Sequence, residues 1–104
     1  MTKDIDFVWP LLQQHQGETF YTAKGLPLTY TIRGGELFVD QRSKSITIST
    51  VANALEKIAA LEMDGIPITG PKKIGCYGAS YLYPVLLALG IFTILDSSQN
   101  VNVI

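Results

Sequence analysis

The stretch Gly70–Leu95 constrains the fold most strongly, because it contains the longest apolar run in the chain. That run, Leu82–Leu95, is shorter than the ~20 residues that a membrane-spanning helix needs. Pro84 and Gly90 also interrupt it. The run therefore predicts a buried helix followed by a buried strand at Ile91–Leu95.

The composition indicates one domain with an apolar surface. The chain has 104 residues, of which 47% are hydrophobic and only 16% are charged. A domain of this size buries roughly 60–70% of its unfolded surface, and the usual charged fraction is about 25%. Because so few charges are available to cover the surface, an apolar patch should remain exposed, and such patches usually become interfaces. We therefore expect self-association as a two-fold homodimer.

Charge and cysteine content bear on partners and compartment. The formal net charge is −1, and Cys76 is the single cysteine. A near-neutral chain has no general attraction to nucleic acid or to an anionic membrane, and one cysteine fits a reducing compartment. The N-terminus carries two aspartates before its apolar part, unlike the basic start of a secretory signal. We expect a cytoplasmic protein that is neither exported nor inserted in a membrane.

The first predicted element is a helix over residues 4–16. Apolar residues recur there at helical spacing, and Asp4 can cap the N-terminus. Pro10 conflicts with an uninterrupted helix, so the helix either kinks there or begins with Pro10 at its first position. Gly17 is a suitable end.

Residues 18–48 predict an antiparallel meander of three to four strands. The clearest signal is Leu28–Arg33, where apolar and polar residues alternate. Gly34-Gly35 follows and can adopt the positive φ values of a tight turn. The predicted strands are Glu18–Thr22, Leu28–Arg33, Glu36–Asp40 and a short Ser45–Ile48.

Two further helices are predicted after the meander. Ser49 or Thr50 caps the first, which ends at Asp64-Gly65. Residues 66–74 should be irregular, with a short edge strand at Lys73–Ile74.

The start of the last helix is open. If Ser80 is the cap, the first turn is strained, because Pro84 lies in it without an amide donor. The alternative is a helix that begins near Pro84. Gly90 ends this helix, and we expect residues 84–90 to be nearly fully buried, with a partner subunit on one side.

The order of the elements predicts a single α+β domain over residues 1–104. It comprises an N-terminal helix, the meander, two further helices packed on one face, and a C-terminal strand. Val101–Ile104 is another candidate for a final strand. The predicted core residues are Tyr30, Ile32, Leu55, Ile58, Leu86 and Leu89.

The segment Gly75–Ser80 is the best candidate for a binding loop. Glycines before a helix can present backbone amides to an anion, and Lys72 and Lys73 just upstream would add positive charge. The spacing matches neither the phosphate-loop nor the dinucleotide pattern, because Cys76-Tyr77 stand where the phosphate loop has Lys-Ser/Thr. The favoured alternative is a glycine-rich turn that lets the loop pass close under a packed helix.

Ser80 and Cys76 are the candidates for a nucleophile. Gly78-Ala-Ser80 half-matches a nucleophile elbow, but Leu82 stands where that motif has glycine. Either nucleophile needs a base, and the single histidine, His15, lies on a distant predicted helix. The simpler interpretations are that Ser80 caps a helix and that Cys76 is a small buried group. We therefore expect no enzyme, no cofactor and no metal site.

Aromatic and basic residues define two candidate surfaces. Three of the five tyrosines are clustered, and tyrosine suits a pocket or an interface because it joins an apolar ring to a polar tip. An interface or core role ranks above a pocket. The candidate ligand-binding residues are Tyr77, Tyr81, Tyr83, Gly75, Gly78 and Ser80. A candidate basic rim comprises Arg33, Arg42, Lys44, Lys72 and Lys73. The favoured interpretation is that these are ordinary solvated side chains, and nucleic acid is not the expected partner.

Two short phrases carry a resemblance to a known group. Phe20–Tyr30, FYTAKGLPLTY, and Gly78–Tyr83, GASYLY, resemble small bacterial proteins without an assigned function. These occur among hypothetical and mobile-element genes, including integron-cassette-type products. The resemblance implies no catalytic residue, because that group has none assigned.

An apolar surplus without a matched catalytic group favours a non-enzymatic interaction module that forms homodimers. One alternative is a small-molecule-binding protein that uses the tyrosine cluster and Gly75–Ser80. Another is a nucleic-acid-binding accessory protein that uses the basic rim.

Overall fold

The computed structural model describes residues 4–22, 24–40 and 45–92, and these confirm the predicted α+β class. Helices and antiparallel strands follow one another in an N-terminal helix, a meander and a helical C-terminal half. The elements are α1 (Ile5–Gln14), β1 (Phe20–Tyr21), β2 (Pro27–Leu28), β3 (Tyr30–Arg33), β4 (Glu36–Val39), β5 (Ser45–Thr47), α2 (Ile48–Met63), α3 (Pro71–Ile74) and α4 (Ala79–Ala88).

Helix α1 begins where its capping residue predicts. The Asp4 carboxylate accepts a hydrogen bond from the Phe7 amide at 3.1 Å, which satisfies one of the free donors of the first turn. Pro10 therefore lies inside the helix, and the alternative start at Pro10 is wrong. The buried face consists of Val8, Trp9 and Leu12.

The central hairpin turns at the predicted Gly34-Gly35. Strands β3 and β4 pair antiparallel from Tyr30 opposite Val39 to Arg33 opposite Glu36, and β5 pairs with the other edge of β4. Of the two turn glycines, only Gly34 adopts a positive φ, at 60°.

The two sheets are linked through one extended segment, residues 27–33. Strand β2 pairs with β1 on one side, whereas β3 pairs with β4 on the other. Hydrogen bonds bridge the break at Thr29: its carbonyl accepts from the Asp40 amide at 3.0 Å, and the Tyr30 carbonyl accepts from the Gly17 amide at 2.9 Å. The described meander therefore has five strands in two sheets instead of three to four strands, because the predicted strand Leu28–Arg33 is divided into β2 and β3.

Helix α2 starts earlier than predicted. Neither Ser49 nor Thr50 is the cap, because Thr47 occupies that position and its hydroxyl accepts from the Thr50 amide at 3.2 Å. Strand β5 therefore passes into the helix without a loop. The predicted end is correct, since Asp64 is the C-cap and Gly65 adopts a φ of 69°.

Residues 70–88 correct two predictions. Lys73 and Ile74 belong to the one-turn helix α3, which Pro71 starts, and not to an edge strand. Helix α4 begins at Ala79 with Gly78 as its cap, so Ser80 is not the cap and Pro84 lies inside the helix. Three helices instead of two thus follow the meander. They pack in sequence, α2 on α3 and α3 on α4, while α4 returns to β1.

One hydrophobic cluster contains residues from the described helices and from both sheets. Of the predicted core, Tyr30, Leu55, Ile58 and Leu86 are buried, while Ile32 and Leu89 are partly buried against the cluster. In the predicted buried helix over residues 84–90, Leu87 is only half-buried and Ala88 is exposed.

The predicted C-terminal strand is not formed where the structure describes it. Ile91 and Phe92 are buried in a bend after Gly90 and belong to no strand. The remainder of Ile91–Leu95, and Val101–Ile104, lie outside the described residues. Within the described ranges, no helix combines the length and apolar character needed to cross a membrane.

Candidate functional site

An open groove of about 390 Å³ is lined by residues around β1 and by α4, which also pack against each other. One wall is the chain around β1 and the other is the C-terminal half of α4. None of the lining residues carries a charge. They are Thr19, Phe20, Tyr21, Thr22, Tyr83, Pro84, Leu87 and Ala88.

Aromatic packing behind the groove holds its two walls in place. The Phe20 ring stacks on the Tyr30 ring, with centroids 5.8 Å apart. The rings of Tyr83 and Phe92 pack with their centroids 5.4 Å apart. Burial raises the pKa of the Tyr83 hydroxyl above its ordinary value. Burial therefore disfavours the phenolate form of Tyr83.

The outer edge of β1 carries backbone groups that point away from β2. The Thr22 amide donates to the Leu26 carbonyl at 2.9 Å, so Thr22 faces β2. Tyr21 lies opposite Pro27, which has no amide hydrogen, and neighbouring residues of a strand alternate in direction. The amide and carbonyl of Tyr21 consequently point away from β2.

The hairpin of β1 and β2 also exposes apolar side chains next to the groove. Tyr21 is 62% exposed and Leu26 is 60% exposed. Pro27 beside them is exposed as well. We define Tyr21, Leu26, Pro27 and the groove together as the hairpin face.

The three tyrosines of the predicted cluster lie in different environments. Tyr83 lines the groove, whereas Tyr77 is 54% exposed in the loop before α4. Tyr81 is partly buried and packs against the core. Ser80 is exposed in the first turn of α4. The sequence analysis did not identify the β1 wall. The one signal for it was a tyrosine in a predicted strand beside turn residues.

The glycines of the candidate binding loop have conformational and steric roles. Gly75 adopts a left-handed conformation, with φ 66°, at the C-terminus of α3. Gly78 has φ 75°, and a β-carbon there would lie 2.5 Å from the Ile46 side chain of β5. Because Ile46 is itself buried, the loop can approach the sheet this closely only with glycine. The sequence suggested a close approach to a packed helix as the alternative to anion binding, whereas the close neighbour of Gly78 is Ile46 on strand β5.

The surroundings of Cys76 disfavour its thiolate form. It is half-buried, and that burial raises its pKa above the ordinary value, although its own backbone hydrogen bond acts in the opposite direction. A reactive cysteine needs a lowered pKa. The one histidine, His15, is engaged elsewhere, with its Nδ1 atom 2.9 Å from the Glu18 carboxylate.

The candidate basic rim is only partly described. Arg33 lies over the Phe38 ring, 4.8 Å from its centroid, while Lys72 and Lys73 are exposed on α3. Arg42 and Lys44 lie outside the described residues. In the part of the chain that the structure describes, no three metal-ligating side chains form a group.

The chain matches no protein-family model, no curated protein and no solved structure. The resemblance to small integron-cassette-type proteins therefore stays a prediction.

Proposed function

We propose that the protein is a non-enzymatic interaction module that binds other proteins through the hairpin face. The observation that carries this proposal is the exposure of Tyr21 and Leu26, both more than half exposed, next to a groove with no charged lining residue. Apolar surface of this kind, in a chain with only 16% charged residues, is typical of interfaces. A cytoplasmic location forms part of the proposal, because the single cysteine suits a reducing compartment.

The partner proposed first is a second copy of the chain. Two-fold homodimers are the commonest oligomers, and an apolar face can cover itself across a two-fold axis. The net charge of −1 leaves little electrostatic repulsion between copies.

Size-exclusion chromatography with light scattering tests self-association. We expect a dimer at micromolar concentration, and Leu26→Lys should shift the protein toward monomer because it puts a charge in the interface. Met63→Lys is the matched control, since Met63 is 88% exposed at the end of α2 and outside the hairpin face. A wild-type protein that elutes as a monomer at high concentration would contradict the dimer.

A small-molecule-binding function is the second candidate, and the size of the groove favours it. Ligand pockets usually measure roughly 300–1,000 Å³ and are mostly apolar, and the groove, at about 390 Å³, falls within that range. A thermal-shift screen with uncharged aromatic compounds is the test, because a ligand at about 100 times its Kd adds about 2.7 kcal/mol of stability. Binding that Leu87→Lys does not weaken would place the ligand elsewhere.

A further inference from the structure

We propose that the groove binds an extended, uncharged segment of a partner protein by strand addition to the outer edge of β1. The inference rests on the proposed interaction function and specifies the chemistry of the partner. Three features of the described residues support it: the direction of the β1 backbone groups, the charge of the lining, and the position of α4.

Strand addition needs unpaired backbone donors and acceptors in line along one edge. Among the described residues, β1 pairs with β2 alone. Since Thr22 faces β2 through its bond to Leu26, the preceding strand residue, Tyr21, directs its amide and carbonyl to the other side. Tyr21 and the neighbouring Thr19 both line the groove. An incoming strand would exchange hydrogen bonds with the backbone of Tyr21.

The lining of the groove determines which side chains that strand can carry. The α4 wall consists of Tyr83, Pro84, Leu87 and Ala88, so a charged side chain held there would lose hydration and find no counter-charge. An apolar side chain would instead gain contact with Pro84 and Leu87. Because side chains on one face of a strand repeat every second residue, the ligand carries apolar residues at alternate positions.

The helix also limits the site to one segment. Helix α4 packs against β1 and flanks the groove, so the edge is accessible along a channel and not as a flat open strand. This arrangement favours a single extended segment over repeated edge-to-edge stacking.

A blocked hexapeptide of alternating threonine and valine is the probe, titrated into ¹⁵N-labelled full-length protein. Amide shifts at Thr19, Tyr21 and Leu87 should change together and saturate. Two N-methylated versions of the peptide provide matched controls, because neighbouring amides of a strand point in opposite directions. Methylation at residues facing β1 should weaken binding by about tenfold or more, and methylation at the alternate residues should leave it unchanged.

Variants of the protein test the same geometry from the other side. Tyr21→Pro deletes the outward amide without removing a β1–β2 hydrogen bond, and proline is tolerated at such an edge position. Tyr21→Thr keeps the amide and is the control for loss of the ring. We expect binding to weaken about tenfold further in Tyr21→Pro than in Tyr21→Thr, while Met63→Lys binds like the wild type.

The outcomes separate this inference from the proposed self-association. A protein that stays monomeric by light scattering yet binds the peptide along β1 supports strand addition and refutes the dimer. A dimer that shows no saturable shifts at Tyr21 refutes strand addition and leaves the dimer intact. Equal affinity for both methylated peptides, or a groove already occupied in the free protein by a second copy or by the same chain, would also overturn the inference.

Discussion

Tyr30 links helix α1 to strand β3. It is 1% exposed, and its hydroxyl donates to the Leu12 carbonyl at 2.7 Å. Its ring stacks on Phe20 behind the groove. One residue thus satisfies a carbonyl of the helix and supports the β1 wall of the candidate site.

Tyr30→Phe should destabilise the protein by about 1–3 kcal/mol, because the Leu12 carbonyl loses its buried donor. Urea unfolding followed by circular dichroism measures the change. Tyr21→Phe is the control, since Tyr21 is largely exposed and should change stability by less than about 0.5 kcal/mol. Equal effects of the two substitutions would contradict the role of the Tyr30 hydroxyl.

The same hydroxyl predicts a loss of stability at alkaline pH. Burial, with a smaller contribution from Glu18, raises the pKa of Tyr30 above its ordinary value of 10.0. Above that pH the unfolded chain releases the proton while the folded chain retains it, so the free energy of unfolding falls as pH rises. Tyr30→Phe should therefore show a shallower decline above pH 10 than the wild type. Parallel curves would refute this assignment.

At the scale of elements, the junction of β5 and α2 has no connecting loop. Thr47 is both the last residue of the strand and the cap of the helix. The sequence favoured Ser49 or Thr50, because three hydroxyl residues near a helix start are equivalent as local signals. Pairing of Thr47 with Glu36 holds it extended, and an extended residue is what a cap requires.

Thr47→Ala should cost about 1 kcal/mol of stability, as loss of an N-cap usually does. Ser49→Ala is the matched control and should be neutral or slightly stabilising, because Ser49 is an exposed helical residue and alanine has the higher helix propensity. Thermal unfolding of both variants measures the difference. A larger loss in Ser49→Ala would restore Ser49 as the cap.

At the scale of the whole molecule, one hydrophobic cluster contains residues from the sheets and from all four helices. Helix α1 packs on α2, α2 on α3, and α4 closes the arrangement on β1. Neither small sheet has a core of its own. The described residues therefore show no internal boundary at which one part would unfold alone.

We expect a single cooperative unfolding transition. The one tryptophan, Trp9, lies in the cluster on α1, so its fluorescence reports on tertiary packing, whereas far-UV circular dichroism reports on all helices. The two midpoints in urea should coincide. Separate midpoints would show that the helical C-terminal half unfolds independently of α1 and the sheets.

Local sequence patterns predicted correctly the structural features that depend on residues close together in the chain. The alternation in Leu28–Arg33 and the following glycines predicted the hairpin, and Asp4 and Asp64-Gly65 marked helix ends correctly. The one-turn helix α3 was missed because its four residues are too few for a periodic pattern. The sequence allows two starts for α4, because a proline inside a helix removes a backbone hydrogen bond. Pro84 nevertheless lies inside the helix, since the burial of α4 in the core outweighs that loss.

By itself, the sequence determined the α+β class, the central hairpin and the long helix, because these depend on spacings of two to four residues along the chain. Tertiary structure alone decided the groove, because Thr19–Thr22 and Tyr83–Ala88 are about sixty residues apart and meet only when α4 packs on β1. It also decided the role of Gly78, whose requirement for glycine comes from Ile46 on another element. The stretch Gly70–Leu95 predicted a buried helix, and packing against β1 made one side of that helix the wall of a groove.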